Sequence, residues 1–249
     1  MKVGAVVLAA GSGTRLNGGV PSEKPKVLYE IAGRPMVAYT LGLLKKLQIE
    51  DVVMVVGYKA ELVKEVFVGQ AEFAVQAERF GTAHAAKIGI ERLGKDISSV
   101  LVIQGDDSAF YRPETIAKLL EGAKSYKFAF TTVSLPDPGA YGRVLRDQEG
   151  AVSAIVEKEA LTPDQRLIKE VNAATYFVDR GWFEANYPRL KPSKVGKGEI
   201  IMPDFVELTV SRGEKVLGYP VPKEEWVGVN TPEELALANQ LMQERLHGN

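Results

Sequence analysis

The stretch Leu8-Ala9-Ala10-Gly11-Ser12-Gly13-Thr14-Arg15-Leu16 is the first able to do chemistry, because two glycines and an arginine follow directly on a run of apolar residues. Glycines at such a point let successive backbone N–H groups turn inward as an anion nest, and the Arg15 guanidinium adds a fixed fork suited to phosphate oxygens. Taken alone, the same residues also describe an ordinary strand-to-loop turn. Neither standard nucleotide motif applies, since Leu16 replaces the third glycine of the dinucleotide fingerprint and no Gly-Lys-Ser/Thr follows. Lys24-Pro25-Lys26 adds weight to the phosphate reading: Pro25 stiffens the backbone ahead of Lys26, which becomes a positioned cation, while Lys24 reads as a solvated lysine. Gly105-Asp106 closes another apolar run with a carboxylate. Asp107 stands next to it, and because neighbouring side chains point oppositely, only one of the two can face a given ligand squarely.

Composition limits what else the chain can do. Its 249 residues carry 31 Lys and Arg against 32 Asp and Glu, a formal net charge of −1, so no broad basic surface advertises nucleic acid or an anionic membrane. A polyanion must be met locally. The absence of cysteine excludes thiolate nucleophiles, disulfides and thiolate zinc sites and suits a cytoplasmic protein. Two histidines, His84 and His247, leave little room for imidazole chemistry, and His84 reads as packing on a helix face. Val3 to Ala10 is short for a signal peptide and leads into the Gly-rich loop, and no run approaches the ~18 apolar residues of a membrane span.

These residues need elements to position them. Apolar runs at Lys2–Ala9, Asp51–Val56, Glu72–Gln76 and Ser99–Gln104 read as strands. They alternate with helical patterns at 35–47, 60–68, 82–93 and 112–123. That succession predicts an α/β fold, Rossmann-like, with a mixed, mainly parallel sheet sandwiched by helices and ligands beyond the carboxyl ends of the strands. After Phe128–Leu135 the texture changes. Short strands at Tyr141–Leu145 and Val152–Glu157, a helical turn opened by Thr162-Pro163-Asp164, and a strand at Asn172–Val178 suggest a small β-rich lobe. A helix over 199–212, a strand at 215–221 and a helix opened by the capping box Thr231-Pro232-Glu233-Glu234 complete the reading.

With these elements placed, a wider pattern is visible. Ala9-Ala10-Gly11-x-Gly13-Thr14-Arg15, then Pro25-Lys26-x-Leu28 and Gly33-x-Pro35-Met36, resembles the nucleotide-sugar pyrophosphorylase family. Four further segments are similar to the uridylyltransferase domain of N-acetylglucosamine-1-phosphate uridylyltransferase: residues 76–85 (Gln-Ala-Glu-Arg-Phe-Gly-Thr-Ala-His-Ala), Ala140-Tyr141-Gly142-Arg143-Val144, Ile155-Val156-Glu157-Lys158 and Gly228-Val229-Asn230. They keep the family's order across nearly the whole chain.

The resemblance implies a single nucleotidyltransferase domain over 1–249, of the nucleotide-diphospho-sugar transferase fold. Its nucleotide-binding half would be 1–135, its sugar-binding half with the β-rich lobe 136–230, and its last helix 231–249. It implies Arg15 and Lys26 as catalytic residues. Leu8, Ala9, Ala10, Gly11, Gly13, Thr14, Gln76, Gly81 and Thr82 would bind nucleotide, with the Gln76 amide offering the donor and acceptor that a uracil edge needs. Gly142, Glu157 and Asn172 would bind the sugar. Asp106 and Asn230 would hold Mg²⁺, which accepts a few hard oxygen donors completed by phosphate and water. The substrates would be UTP and a sugar 1-phosphate, N-acetylglucosamine 1-phosphate first, with UDP-sugar and pyrophosphate as products, and with no nucleic acid or membrane partner. Bifunctional relatives carry a C-terminal β-helix that transfers acetyl groups; this sequence is expected to lack that domain and that activity.

Four departures from the family pattern put sugar specificity in question. Ten residues, Leu16 to Pro25, separate Arg15 from Lys26, more than is usual in the uridylyltransferase branch. Asn172-Ala173-Ala174-Thr175 replaces the Asn-Thr-Gly pattern, and the stretch after Gly198-Glu199 lacks the aromatic and threonine residues expected there. Asp107-Ser108 also replaces a hydrophobic-Pro pair. Glucose 1-phosphate, dTTP or CTP as substrates, or a non-catalytic nucleotide-sugar-binding subunit, therefore stand as alternatives.

Overall fold

A computed structural model describes residues 2–20, 22–139, 141–192 and 198–248. The central strand is β1 (Val3–Ala9), whose residues alternate between two cores. Ala5, Val7 and Ala9 face one side of the sheet, and Val6 and Leu8 face the other, all nearly or fully buried. A strand covered on both faces must be apolar at every position, which explains its unbroken hydrophobic run.

Five strands and four helices follow in the first half: β2 (Glu30–Ile31), β3 (Arg34–Pro35), α1 (Met36–Lys46), β4 (Val52–Val56), α2 (Ala60–Val66), β5 (Glu72–Val75), α3 (Thr82–Ile90), β6 (Ser99–Gln104) and α4 (Pro113–Gly122). The second half holds β7 (Phe128–Ser134), β8 (Arg143–Arg146), β9 (Val152–Val156), β10 (Glu170–Asp179), α5 (Arg180–Asn186), α6 (Asp204–Ser211), β11 (Val216–Pro220) and α7 (Pro232–His247). The main sheet runs β11-β7-β10-β6-β1-β4-β5, with β8 and β9 attached off its path through β10. Along that path β10 alone runs antiparallel to its neighbours. The mixed, mainly parallel sheet is thus as expected from sequence.

The chain leaves β1 toward β4 and β5, then returns to place β6 on the opposite flank of β1. This reversal opens a crevice beyond the ends of β1 and β6, the place where such sheets bind ligands. Residues of α1, α2 and α4 pack on one face, those of α3, α5 and α6 on the other. Among the described residues, no helix is long and apolar enough to cross a membrane.

Several elements differ from the sequence reading. The expected helix over 199–212 begins only at Asp204, because Pro203 starts it and the Asp204 carboxylate accepts from Ile201 N in a tight turn. The freed segment lies instead along the start of α3. The sequence pattern predicts no helix at α5, although Asp179 caps it by accepting from Trp182 N at 2.8 Å; Gly181 hides the signal. Nor does the sequence signal the β2–β3 hairpin, whose turn places Ala32 (φ 48) beside Gly33 (φ 75), both left-handed as the tightest hairpins require. Ala174, where the resembling family has glycine, is likewise left-handed (φ 55), within the irregularity that interrupts the β10–β7 pairing.

One buried contact ties the C-terminal segment to the sheet's helical layer. Arg112, the residue before α4, has no side-chain cap of its own, and buried Glu225 accepts from Arg112 N at 2.9 Å and from Thr115 Oγ1 at 3.0 Å. Its carboxylate meets the positive end of the helix. Glu225→Ala leaves those donors unmet and is expected to lower the unfolding free energy by about 2 kcal/mol, read as a reduced urea midpoint at unchanged slope.

Candidate active site

β1 ends at Ala9, and the chain turns through Gly11–Thr14 into a short turn of helix at Arg15–Asn17. The loop is held by its own neighbours: Lys26 N donates to Gly11 O at 3.3 Å, and Tyr58 N donates to Ala10 O at 3.3 Å. Gly13 is left-handed (φ 67) and lies so close to Lys26 that a Cβ there would meet that side chain at 3.2 Å. The Gly-rich loop and the Pro25-Lys26 segment, separate in sequence, are therefore one packed unit. Two small cavities open on it, of about 200 Å³ and 270 Å³. Leu8, Ala10, Gln76, Gly81 and Thr82 line the first; Gly13, Thr14, Arg15 and Asn230 line the second. Gly11, Lys26, Arg79 and Asp106 line both. Ala9 is nearly inaccessible and supports the loop from below.

Charge gathers around Asn230. Lys26 Nζ donates to Asn230 Oδ1 at 3.0 Å, and Arg15 Nη2 donates to the same oxygen at 2.9 Å. Lys26 also forms an ion pair with Asp106, and both side chains are largely covered. Asn230 is aimed by what surrounds it. Its Nδ2 donates to Tyr141 Oη at 3.3 Å, and its backbone N donates to Glu234 Oε2 at 2.6 Å. The capping box expected at Thr231 and Glu234 is present, and the same Glu234 carboxylate serves both the helix and Asn230. Burial, followed by Glu234 and Asp107, pushes the Tyr141 hydroxyl up to about 12, so it remains a neutral partner at physiological pH.

Asp106 and Asn230 fit a divalent cation. Their oxygens converge on one ammonium, showing that a single positive centre can satisfy both, and two hard donors leave room for phosphate and water. No cluster of three or more His, Cys, Asp or Glu suited to a metal exists among the described residues. Asp107 faces elsewhere: its Oδ1 is covered and has no hydrogen-bond partner. Burial, with the adjacent Asp106 adding to it, raises its carboxyl well above the usual range.

The first cavity is built on strain-free but tightly specified contacts. The 198–203 segment lies across the start of α3, with Ile200 N donating to Phe80 O at 2.8 Å, Ala83 N to Ile200 O at 3.1 Å and Met202 N to Thr82 Oγ1 at 2.9 Å. Gly81 (φ 100) admits this crossing, because a Cβ there would sit 2.3 Å from Ile200 O. Gln76 is buried, and its Nε2 donates to Gly81 O at 3.1 Å and lies 3.2 Å from His84 Nδ1. The Gln76 amide is thus held in place by the start of α3 that it adjoins. His84 packs edge-on against Phe80 as well, so it orients Gln76 in addition to packing.

On the β-rich lobe, Arg143 pairs with Val156 on one side and Val171 on the other. One residue along, Gly142, Glu157 and Asn172 therefore form a row across three strand ends. A Cβ on Gly142 would approach Glu157 Oε1 to 3.2 Å. Asn172 is partly committed: its Nδ2 donates to Tyr176 Oη at 2.8 Å and its Oδ1 accepts from Ala174 N at 2.9 Å. Tyr141 joins this row to the charged centre through Asn230. Ala140 of the Ala140–Val144 motif lies outside the described residues. Sequence reasoning assigned no role to Ser12, Arg79, Tyr141 or Glu199, though all stand within or beside the segments that carry the resemblance.

The fold sets a glycine loop and two cations at the ends of parallel strands, an arrangement of the α/β enzyme class. The chain belongs to the nucleotidyl transferase family, whose pattern matches residues 4–245. It is 37% identical over 245 residues to the bifunctional protein GlmU of Bacillus licheniformis, covering 98% of this chain and 53% of that protein. It is 35% identical over 248 residues to the GlmU of Bacillus subtilis, with the same coverage. The chain spans about half the length of the curated relatives it matches. Among solved structures, a Bacillus anthracis protein assigned as a glucose-1-phosphate thymidylyltransferase and solved with sucrose has a TM-score of 0.80 at 23% identity, covering 97% of this chain and 96% of that one. HddC from Yersinia pseudotuberculosis has a TM-score of 0.73 at 21% identity, covering 97% and 100%. These likenesses show a shared fold.

Two variants test the geometry. Gly81→Ala would drive a methyl group into the backbone at Ile200 and is expected to lower stability by about 2–4 kcal/mol and to weaken nucleotide binding; an unchanged melting temperature would refute the close approach. Glu157 is raised by burial first, then by Glu159 and Asp204. A raised carboxyl favours the protonated folded state, so the charged form costs stability as pH climbs through the folded pKa. Glu157→Gln is expected to melt above the parent at neutral pH, with the gap closing as pH falls toward about 4, in a calorimetric pH series.

Proposed function

We propose that this chain transfers a uridylyl group from UTP to a sugar 1-phosphate, with N-acetylglucosamine 1-phosphate as the preferred acceptor, forming a UDP-sugar and pyrophosphate. The observation that carries this reading is the convergence of Arg15 and Lys26 on Asn230 Oδ1, beside Asp106 and the Gly11–Thr14 loop. Similarity to the GlmU proteins over nearly the whole chain supports it. The reaction belongs in the cytoplasm, where nucleoside triphosphates are made.

In this reading the triphosphate lies along the glycine loop, whose backbone N–H groups and Arg15 hold the departing pyrophosphate. The acceptor's phosphate oxygen attacks the α-phosphorus in line. A bond forms from that oxygen to phosphorus, the bond to the bridging oxygen breaks, and pyrophosphate leaves with the electron pair. The attacking group is already an anion, so no general base is needed, and the protein's contribution is placement and neutralisation of charge. Asp106 and Asn230 would hold Mg²⁺, which would supply positive charge to offset that of the reacting phosphates. Lys26 lies among the same groups and shares that neutralisation. Gly142, Glu157 and Asn172 would meet the sugar.

The geometry of Gln76 sharpens base choice. With Nε2 donating to Gly81 O, the amide has its Oε1 as an acceptor for a base N–H. Uracil and thymine carry such a donor at N3, whereas neutral cytosine presents an acceptor there. The N3 donor shared by uracil and thymine suits this acceptor, and dTTP stands as a rival nucleotide.

A pyrophosphate-release assay crossing UTP, dTTP, CTP and GTP with N-acetylglucosamine, glucose and galactose 1-phosphates checks the reading, and UTP with N-acetylglucosamine 1-phosphate is expected to be fastest. Lys26→Ala is expected to reduce turnover ~10²-fold or more, the scale for one preorganised electrostatic group. Full pyrophosphate release by purified Lys26→Ala or Asp106→Ala would sink the mechanism.

A further inference from the structure

We infer that Arg79 is a third cation of the triphosphate site, closing on the β- and γ-phosphates from the side of the loop opposite in sequence to Arg15. The inference rests on the triphosphate reading of the Gly11–Thr14 loop proposed above. Arg79 lines both cavities, the one that holds Gln76 and Thr82 and the one that holds Arg15 and Asn230. Its Nη1 donates to Ser12 Oγ at 3.1 Å, and Ser12 is the buried residue between the loop's two glycines. The guanidinium is thereby brought to the nest itself.

Charge decides what such an arrangement awaits. Lys26 is matched by Asp106, but Arg15 and Arg79 have no carboxylate within ion-pair distance among the described residues. Glu199 lines the first cavity too without pairing with Arg79. Two unmatched guanidinium groups and a glycine turn present fixed positive charge to one small space, which suits a terminal pyrophosphate unit better than the smaller charge of a monoester. Arg79 is also pinned in place. The segment that carries it is anchored at one end by buried Gln76, which donates to Gly81 O, and at the other by Ile200 N, which donates to Phe80 O. A cation on a braced loop loses less freedom on binding than one on a mobile tail.

The reach of a guanidinium that hydrogen-bonds Ser12 makes Arg79 a phosphate residue, while the base stays with Gln76. Removing it should therefore change affinity according to phosphate number. Calorimetric titration of the parent, Arg79→Gln and Arg79→Lys with UTP, inorganic pyrophosphate and UMP, at saturating Mg²⁺, reads this directly. Arg79→Gln is expected to weaken UTP and pyrophosphate ~10- to 100-fold with UMP unchanged and the unliganded melting temperature unmoved, and Arg79→Lys to recover part of the loss. Equal weakening of UTP and UMP, or no weakening of either, would overturn the assignment. If the parent itself binds UTP no better than UMP, the triphosphate reading fails and this inference falls with it.

Discussion

Asn230 Oδ1 accepts hydrogen bonds from both Arg15 and Lys26, and Lys26 in turn pairs with Asp106. These four residues come from the loop after β1, the segment leading to α1, the end of β6 and the turn before α7. Four separated stretches of chain must be in place before this one oxygen has its partners. Two like charges sharing an acceptor repel each other, so the arrangement persists only because Asp106 offsets Lys26 and because Asn230 cannot swing away. Tyr141 holds its amide nitrogen and Glu234 its backbone nitrogen. The Glu225 contact to α4 fixes the approach of the same segment a few residues earlier.

The two walls of the proposed substrate site, one for nucleotide and one for sugar, are specified by different physics. On the nucleotide side, close backbone contact dominates: Gly81 permits Ile200 to cross the start of α3, and Gly13 permits Lys26 to lie against the phosphate loop. On the sugar side, strand register dominates, placing Gly142, Glu157 and Asn172 in one row because β8 pairs with both β9 and β10. Glu157 remains there although burial disfavours its charge. A carboxylate kept in a position that costs stability is commonly a functional one.

Much of this was legible in the chain. An apolar run such as Val3–Ala9 can only be a doubly covered strand, and the Gly11–Arg15 and Gly105-Asp106 stretches stand where such runs end, which is where this class of sheet gathers its ligands. The capping box at Thr231 was readable because its hydrogen bonds are local. What escaped had weak local signal. Asp179 caps α5, but Gly181 obscures the helical pattern, and the 198–203 segment has helix-like residues that lose to Pro203 and to the start of α3. Ala32 and Ala174 are left-handed against their own preference, held there by a hairpin and by the interruption in β10.

The succession of strands and helices in the first half, the glycine loop, the cations and the carboxylate were written in the sequence, because periodicity, turn chemistry and residue type are properties of neighbours along the chain. Tertiary structure alone decided that Asn230 would be the common partner of Arg15 and Lys26 and that Arg79 would reach Ser12. Each of these depends on two segments tens to hundreds of residues apart meeting at hydrogen-bond distance. No local pattern encodes that distance; it is set by the packing of the whole sheet and its helices.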